Sequence, residues 1–213
     1  MLKVLVVDDF PLFRRGVKDL VTEGFQGAKI GEAGNAHEML ELLRRKPWDV
    51  AVMDISMPGM NGLDALKQVK QEFPALPVLI LSMYPEEQYA IRMIKAGADG
   101  YLTKSSAPEE LVKAIAKVHA GGKYVSPSLA ETLAFTVKSG AEKEPHELLS
   151  DREYQVLCLI GSGKTVGEIA GRTNLSVTTI STYRARILEK MRMKTNAELV
   201  RYAIQQGLVE EEF

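Results

Sequence analysis

The sequence predicts an α/β protein with a second, all-α part. A doubly wound parallel sheet built from five β/α units comes first, and a domain of four helices follows. Three observations carry this. Short apolar runs alternate with helix-periodic stretches as far as Gly121-Gly122. Residues 138–147 are dense in Lys, Glu, Gly and Pro, which suits a linker. From Ser150 onward apolar residues recur only at helical spacing. The expected units are residues 1–122, a linker with a short helix over 123–147, and a helical domain over 148–213.

The strands read in order as KVLVV (3–7), AKIGEA (28–33), DVAVM (49–53), PVLIL (77–81) and GYLT (100–103). Near-continuous apolar runs of this length belong to strands buried on both faces, which is the property of a parallel sheet covered by helices. Helical periodicity fills the gaps, as from Leu12 to Val21 and from Ala36 to Arg45. Asn35 with Glu38 makes an N-cap pair, and Pro108 followed by Glu109 and Glu110 suits a first helical turn. Residues 128–137 are expected to form a short helix. Ser150-Asp151-Arg152-Glu153 is a capping box ahead of VLCLI, and later helices are expected over 166–172, 177–192 and 196–206.

Composition bounds the chemistry. The 213 residues are 46% hydrophobic and 26% charged, with net charge −1 and a pI near 6.3. The whole molecule is therefore no basic polyanion binder, and local charge has to be read separately. One cysteine excludes an internal disulfide framework and a cysteine zinc cluster. The opening MLKVLVVDD turns acidic too soon for a signal peptide, and no apolar run reaches membrane-spanning length. A cytoplasmic protein without a membrane segment is expected.

In an open parallel sheet, ligands sit beyond the carboxyl ends of the strands. Asp8 and Asp9 end the first run, Asp54 the third and Ser82 the fourth, while Lys104 follows the fifth. Taken alone, Asp8-Asp9 also fits a strand end that caps a helix. All five converge on one crevice. Three carboxylates held together repel unless protonated or bound to a cation, and a hard ion such as Mg²⁺ prefers oxygen ligands. A lysine and a hydroxyl beside them suit an arriving anion such as a phosphoryl group.

MDISMPGMNGLDAL, with Asp54 followed by Pro58 and Gly62, resembles the phosphorylation segment of response-regulator receiver domains. LSMY (81–84) and GYLTK (100–104) resemble the switch segments of the same family. The resemblance covers residues 1–122 and implies a flavodoxin-like (βα)5 fold. It implies phosphoryl transfer from a sensor histidine kinase to Asp54. It also implies Mg²⁺ held by Asp8, Asp9, Asp54 and the backbone carbonyl of Ser56. Lys104 would pair with the phosphoryl group, Ser82 would bond to it, and Tyr101 would rotate inward behind Ser82. Ser56 and Tyr84 occupy the family's positions that tune dephosphorylation, and Ser105 replaces the proline that often follows the lysine. The only chemistry expected of the chain is self-phosphorylation of Asp54 from a phosphodonor, so it is not expected to be an enzyme.

The helical half carries its own charge. Over residues 161–201, eight Lys and Arg face three Glu and leave +5. This suits either phosphate contacts or a solvated helix surface. On a helix from Val177 to Arg192, Ile180, Ile187 and Met191 share one face with Tyr183 at its edge. Thr178, Ser181, Thr182, Ala185 and Arg186 fall on or near the other face. A small, polar face with an arginine can enter a major groove.

The pentapeptide GSGKT (161–165) looks like the end of a phosphate-binding loop, but that loop needs a glycine at position 158, where the chain has Cys158. LSDREYQVLCLIGSGKTVGEIAGRTNLSVTTISTYRARILEKMRMKTNAELVRYA resembles the LuxR-type helix-turn-helix domain, and the whole chain resembles a NarL/FixJ-type response regulator. GSGKT is then a turn between two helices, with Gly163 reversing the chain. Thr165 would cap the next helix, and Lys164 would approach a DNA phosphate. The family's T-V-K-x-H pattern stands here as Thr179, Ile180, Ser181, Thr182 and Tyr183, so serine replaces a long cation and tyrosine a histidine. Arg184, Arg186 and Lys190 would supply contacts to double-stranded DNA. The last helix carries Leu199, Val200, Ala203 and Ile204 on one stripe, which suits packing within the domain. The resemblance adds a homodimer contact there upon phosphorylation. His37, His119 and His146 show no metal-ligand spacing and read as surface or capping groups. Cys158 reads as a small buried hydrophobe.

Overall fold

The computed structural model describes residues 1–57, 60, 62–84, 86–127, 129–131 and 144–209. The chain separates into two compact units, residues 1–134 and 135–213. In the first, β1 (Lys3–Val7), β2 (Lys29–Ala33), β3 (Val50–Met53), β4 (Val78–Ser82) and β5 (Gly100–Thr103) alternate with α1 (Pro11–Gly24), α2 (Ala36–Arg45), α3 (Gly62–Glu72), α4 (Glu86–Lys95) and α5 (Ala107–His119). All strand pairs are parallel, in the order β2-β1-β3-β4-β5. The strand order therefore reverses beside β1, and the crevice beyond the β1 and β3 ends is the topological switch point.

The apolar runs place the strands for a physical reason. Val4–Val7 and Val50–Met53 are buried along their whole length because helices cover both faces. Val17 and Val21 of α1 and Leu111, Ala114, Ile115 and Val118 of α5 close one side. The edge strand β2 differs: Lys29 and Glu32 are exposed, and such charges discourage pairing with another chain. Pro11 opens α1 one residue before the expected start, where its missing N–H costs nothing. Asn35 accepts from the Glu38 N–H at 2.9 Å, as the N-cap pattern predicts.

The chain does not leave the sheet at Gly122. Tyr124 accepts from the Tyr101 N–H at 3.0 Å and donates to the Asp99 carbonyl at 2.9 Å, which covers the free edge of β5. Leu129 is buried, and residues 129–131 are helical, with Ser126 accepting from the Leu129 N–H at 3.1 Å. The rest of the expected helix over 128–137 and the linker from 138 to 143 lie outside the described residues, as does Pro58. At the linker's end Pro145–Leu148 forms a single 3₁₀ turn.

The second unit contains α6 (Asp151–Gly161), α7 (Val166–Thr173), α8 (Val177–Lys190) and α9 (Asn196–Gln205). Helix α6 packs against α8 and α9, and α7 packs against α8. Tyr154, Leu157, Cys158, Ile169, Ile180, Ile187, Leu199 and Ala203 fill the space between them. Cys158 is wholly buried. Capping boxes start α6 at Ser150 and α7 at Thr165, and Ser176 caps α8. The GSGKT segment is a helix stop. Gly163 has φ 77°, its N–H donates to the Ile160 carbonyl at 3.0 Å, and the Lys164 N–H reaches the Leu159 carbonyl at 3.1 Å. These two bonds satisfy the carbonyls that end α6.

Candidate functional site

Sheet geometry delivers the acidic pocket. Where β1 ends, the Asp8 N–H reaches the Ala33 carbonyl at 3.1 Å, and where β3 ends, the Asp54 N–H reaches the Val7 carbonyl at 2.8 Å. The Lys104 N–H continues the β5 ladder to the Ser82 carbonyl at 2.7 Å. Strands β1, β3 and β5 thus deliver Asp8, Asp54 and Lys104, each just beyond its strand, to one crevice. One oxygen from each of Asp8, Asp9 and Asp54 lies within 4.8 Å of the others. Lys104 Nζ lies 2.6 Å from Asp8 Oδ2 and 2.8 Å from Asp54 Oδ2. Asp54 Oδ1 accepts from the Ser56 N–H at 3.1 Å, and Asp8 Oδ1 from the Phe10 N–H at 2.8 Å.

These groups are nearly dry: Asp8 and Asp54 are each 2% exposed. Burial pushes the Asp54 carboxyl above the usual range, while Lys104 pulls it back and a hydrogen bond from Ser56 assists. Burial also opposes the charge on Lys104, but Asp54 and Asp8 outweigh it and hold the ammonium above its ordinary value. Burial thus outweighs Lys104 at the Asp54 carboxyl, whereas the carboxylates outweigh burial at Lys104. Asp9 Oδ1 is buried with no hydrogen-bond partner, and so is Ser56 Oγ. A buried carboxylate oxygen without a donor is costly unless a cation meets it, so the donor set fits a divalent ion.

Gly62 explains the tight loop after β3. A Cβ there would stand 2.3 Å from the Ile55 Cα, so only glycine lets the start of α3 approach the segment that carries Asp54.

Ser82 and Tyr101 are both fully buried. Ser82 Oγ accepts from the Tyr84 N–H at 3.1 Å, and the Tyr101 hydroxyl donates to the Tyr84 carbonyl at 2.8 Å. Burial, partly offset by a hydrogen bond with Ser82, pushes the Tyr101 hydroxyl far above the tyrosine range and keeps it a neutral donor. The inward position expected for Tyr101 upon phosphorylation is the one it holds here.

In the second unit, Thr178, Thr182, Ala185 and Arg186 are exposed on α8, with Ser181, Thr179, Tyr183 and Arg184 half-buried beside them. The opposite side is buried through Ile180 and Ile187. Several expected contact residues have internal partners, among them Thr179 with Ser176 and Thr182 with the Thr178 carbonyl. Thr165 Oγ1 donates to Glu168 Oε2 at 2.7 Å within its capping box. Lys190 Nζ is held 2.6 Å from Glu153 Oε2, the buried cap residue of α6. That ammonium serves the domain's own fold, a pairing that its position on a basic helix did not reveal. His146, expected as a surface or capping group, is half-buried, with Nδ1 2.8 Å from the Tyr202 hydroxyl and its ring tilted against Tyr154 and Tyr202. On α9, Leu199 and Ala203 are buried, whereas Ile204 is 60% exposed.

Comparison with known proteins assigns both units. Residues 4–116 match the response regulator receiver domain, and residues 147–203 match the luxR family of bacterial regulatory proteins. The chain is 37% identical over 213 residues to the response regulator GacA of Pseudomonas aeruginosa, covering 99% of each. It is 34% identical to the response regulator UvrY of Escherichia coli, covering 98% of this chain and 96% of that one. Among solved structures, RcsB of Salmonella enterica serovar Typhimurium bound to promoter rprA in the presence of the phosphomimetic BeF3- superposes with TM-score 0.65 at 26% identity, over 95% of this chain and 98% of that one. The chain belongs to the NarL/FixJ-type two-component response regulators, transcription regulators that join a receiver domain to a LuxR-type helix-turn-helix domain.

Proposed function

We propose that Asp54 is the phosphoacceptor of a switch that controls DNA binding. The observation that carries this is the buried pocket in which Asp54 meets Asp8, Asp9 and the Lys104 ammonium. Asp54 attacks the phosphorus of a sensor histidine kinase's phosphohistidine, the P–N bond breaks, and an acyl phosphate forms. Asp8, Asp9, Asp54 and the Ser56 backbone carbonyl would hold Mg²⁺, which supplies charge neutralisation for the phosphoryl oxygens. Lys104 then pairs with the phosphoryl group in place of the free carboxylate, and Ser82 donates to it. Ser82 already accepts from the Tyr84 N–H, and Tyr101 is already inward with its hydroxyl on the Tyr84 carbonyl, so the phosphoryl group would hold these residues in this arrangement.

The output is double-stranded DNA. Helix α8 enters the major groove with Thr178, Ser181, Thr182, Ala185 and Arg186 toward the bases. Thr179, Tyr183 and Arg184 flank that face, and Lys164 and Thr165 approach the backbone from the turn before α7. Lys190 would have to leave Glu153 to join them. Exposed Ile204 on α9 fits a homodimer contact formed on phosphorylation. The RcsB structures, one of them two RcsB dimers bound to two parallel DNAs, support this reading. Beyond phosphorylating itself the chain carries out no enzymatic reaction, and it works in the cytoplasm; among the described residues no helix is long and apolar enough to cross a membrane. With acetyl phosphate and Mg²⁺ the wild-type chain takes up one hydroxylamine-labile phosphoryl group, and Asp54→Asn takes up none. Equal labelling of both chains would reject the assignment.

A further inference from the structure

Helix α1 sends a side chain into the acidic pocket that the roles above leave unused. Phe13 sits half-buried, packed against the receiver core, and by position it looks like any apolar residue of an amphipathic helix. Its ring, however, lies under the Lys104 ammonium, with Nζ 4.4 Å from the ring centroid. An ammonium has three N–H donors. Asp8 and Asp54 each take one contact, and the face of Phe13 supplies a further one. The Lys104 side chain is only 7% exposed, so little water competes, and a desolvated cation over an aromatic face lies at the stronger end of that interaction.

We propose that Phe13 is a positioning residue for Lys104, and that its ring face holds the ammonium in the pocket while the carboxylates are committed elsewhere. The inference rests on the reading of Asp54 as phosphoacceptor. Asp8 and Asp54 hold Lys104, and they are also ligands of the proposed divalent ion. An ion there takes up their charge and repels the ammonium, so both ion pairs weaken together. The ring is uncharged. Its quadrupole attracts the ammonium whatever the carboxylates bind, and Lys104 stays close enough to meet the arriving phosphoryl group. A leucine would fill the space without that attraction, and a carboxylate would add one more anion to the pocket.

The test replaces Phe13 in the full-length chain with mono-, di- and trifluorinated phenylalanine. Fluorine withdraws charge from the ring face at nearly constant size. The measurement is the rate of Asp54 labelling by acetyl phosphate at saturating Mg²⁺. The logarithm of the rate falls steadily with fluorine number, to about three- to tenfold slower at three fluorines, while the melting temperature stays in place. Phe13→Leu matches the trifluorinated chain, and in a Lys104→Met background any residual rate ignores fluorine number. A rate that ignores fluorine number with Lys104 present overturns the proposal, as does a rate that falls only in step with the melting temperature. Absence of labelling in the unsubstituted chain would instead overturn the phosphoacceptor reading.

Discussion

Asp8 and Asp54 are each 2% exposed and hold a lysine between them, whereas Thr182, Ala185 and Arg186 stand in solvent on a helix whose inner side is Ile180 and Ile187. The two sites are built in opposite ways. In the receiver domain, function and fold share the same dry residues, so the backbone of three strands dictates where each charge sits. In the helix-turn-helix domain, the fold uses one side of α8 and leaves the other available for recognition. Substitutions in the pocket should therefore disturb structure and chemistry together. Those on the outer face of α8 should change recognition alone.

The hardest test of that contrast is Gly62→Ala. The new Cβ meets the Ile55 backbone, which cannot move without displacing Asp54, so the receiver domain loses about 3 kcal/mol. Calorimetry should show its transition falling while that of the helical domain holds. Next comes Glu153→Gln, which removes the charge that caps α6 and binds Lys190, at a cost of about 2 kcal/mol to the helical domain. Burial works against the Glu153 charge, but Lys190 and Ser150 outweigh it and hold the carboxyl below the ordinary 4.5. Its contribution is therefore present above that value and is lost as pH falls through the depressed one. The wild-type helical domain should melt earlier as pH falls from 5 toward about 3, and Glu153→Gln should flatten this dependence.

Arg186→Ala draws the opposite outcome. DNA affinity falls by about 1.5 kcal/mol, with a smaller salt dependence if the contact is to a phosphate, and the melting temperature stays put. Thr165→Ala gives the smallest effect, about 1 kcal/mol of helical-domain stability from the lost cap. A loss of DNA affinity larger than that stability change would assign Thr165 a DNA contact as well.

What could be read in advance follows the same division. Asp8, Asp54, Ser82 and Lys104 were legible because each closes or follows an apolar strand run, and a parallel sheet brings such positions together whatever lies between. The inner side of α8 was legible from the 3.6-residue period of Ile180 and Ile187. Pairings set by tertiary packing were not. Lys190 and Glu153 are 37 residues apart, and nothing local distinguishes that lysine from the basic residues around it. Phe13 carries the pattern of a core residue, and only its distance to Lys104 assigns it a second role. The passage of Tyr124 along β5 was hidden because Lys123–Ser126 lack the apolar run of a strand, and their bonds go to backbone that any sequence offers.

A phosphoryl group on Asp54 is proposed to change what the helix-turn-helix domain does. The most direct test is DNA affinity at one fixed salt concentration, measured with and without acetyl phosphate and Mg²⁺, for the wild type and Asp54→Asn. Affinity should change for the wild type alone. An identical response in both chains, or an unchanged affinity in a wild type shown to be phosphorylated, would contradict the proposal.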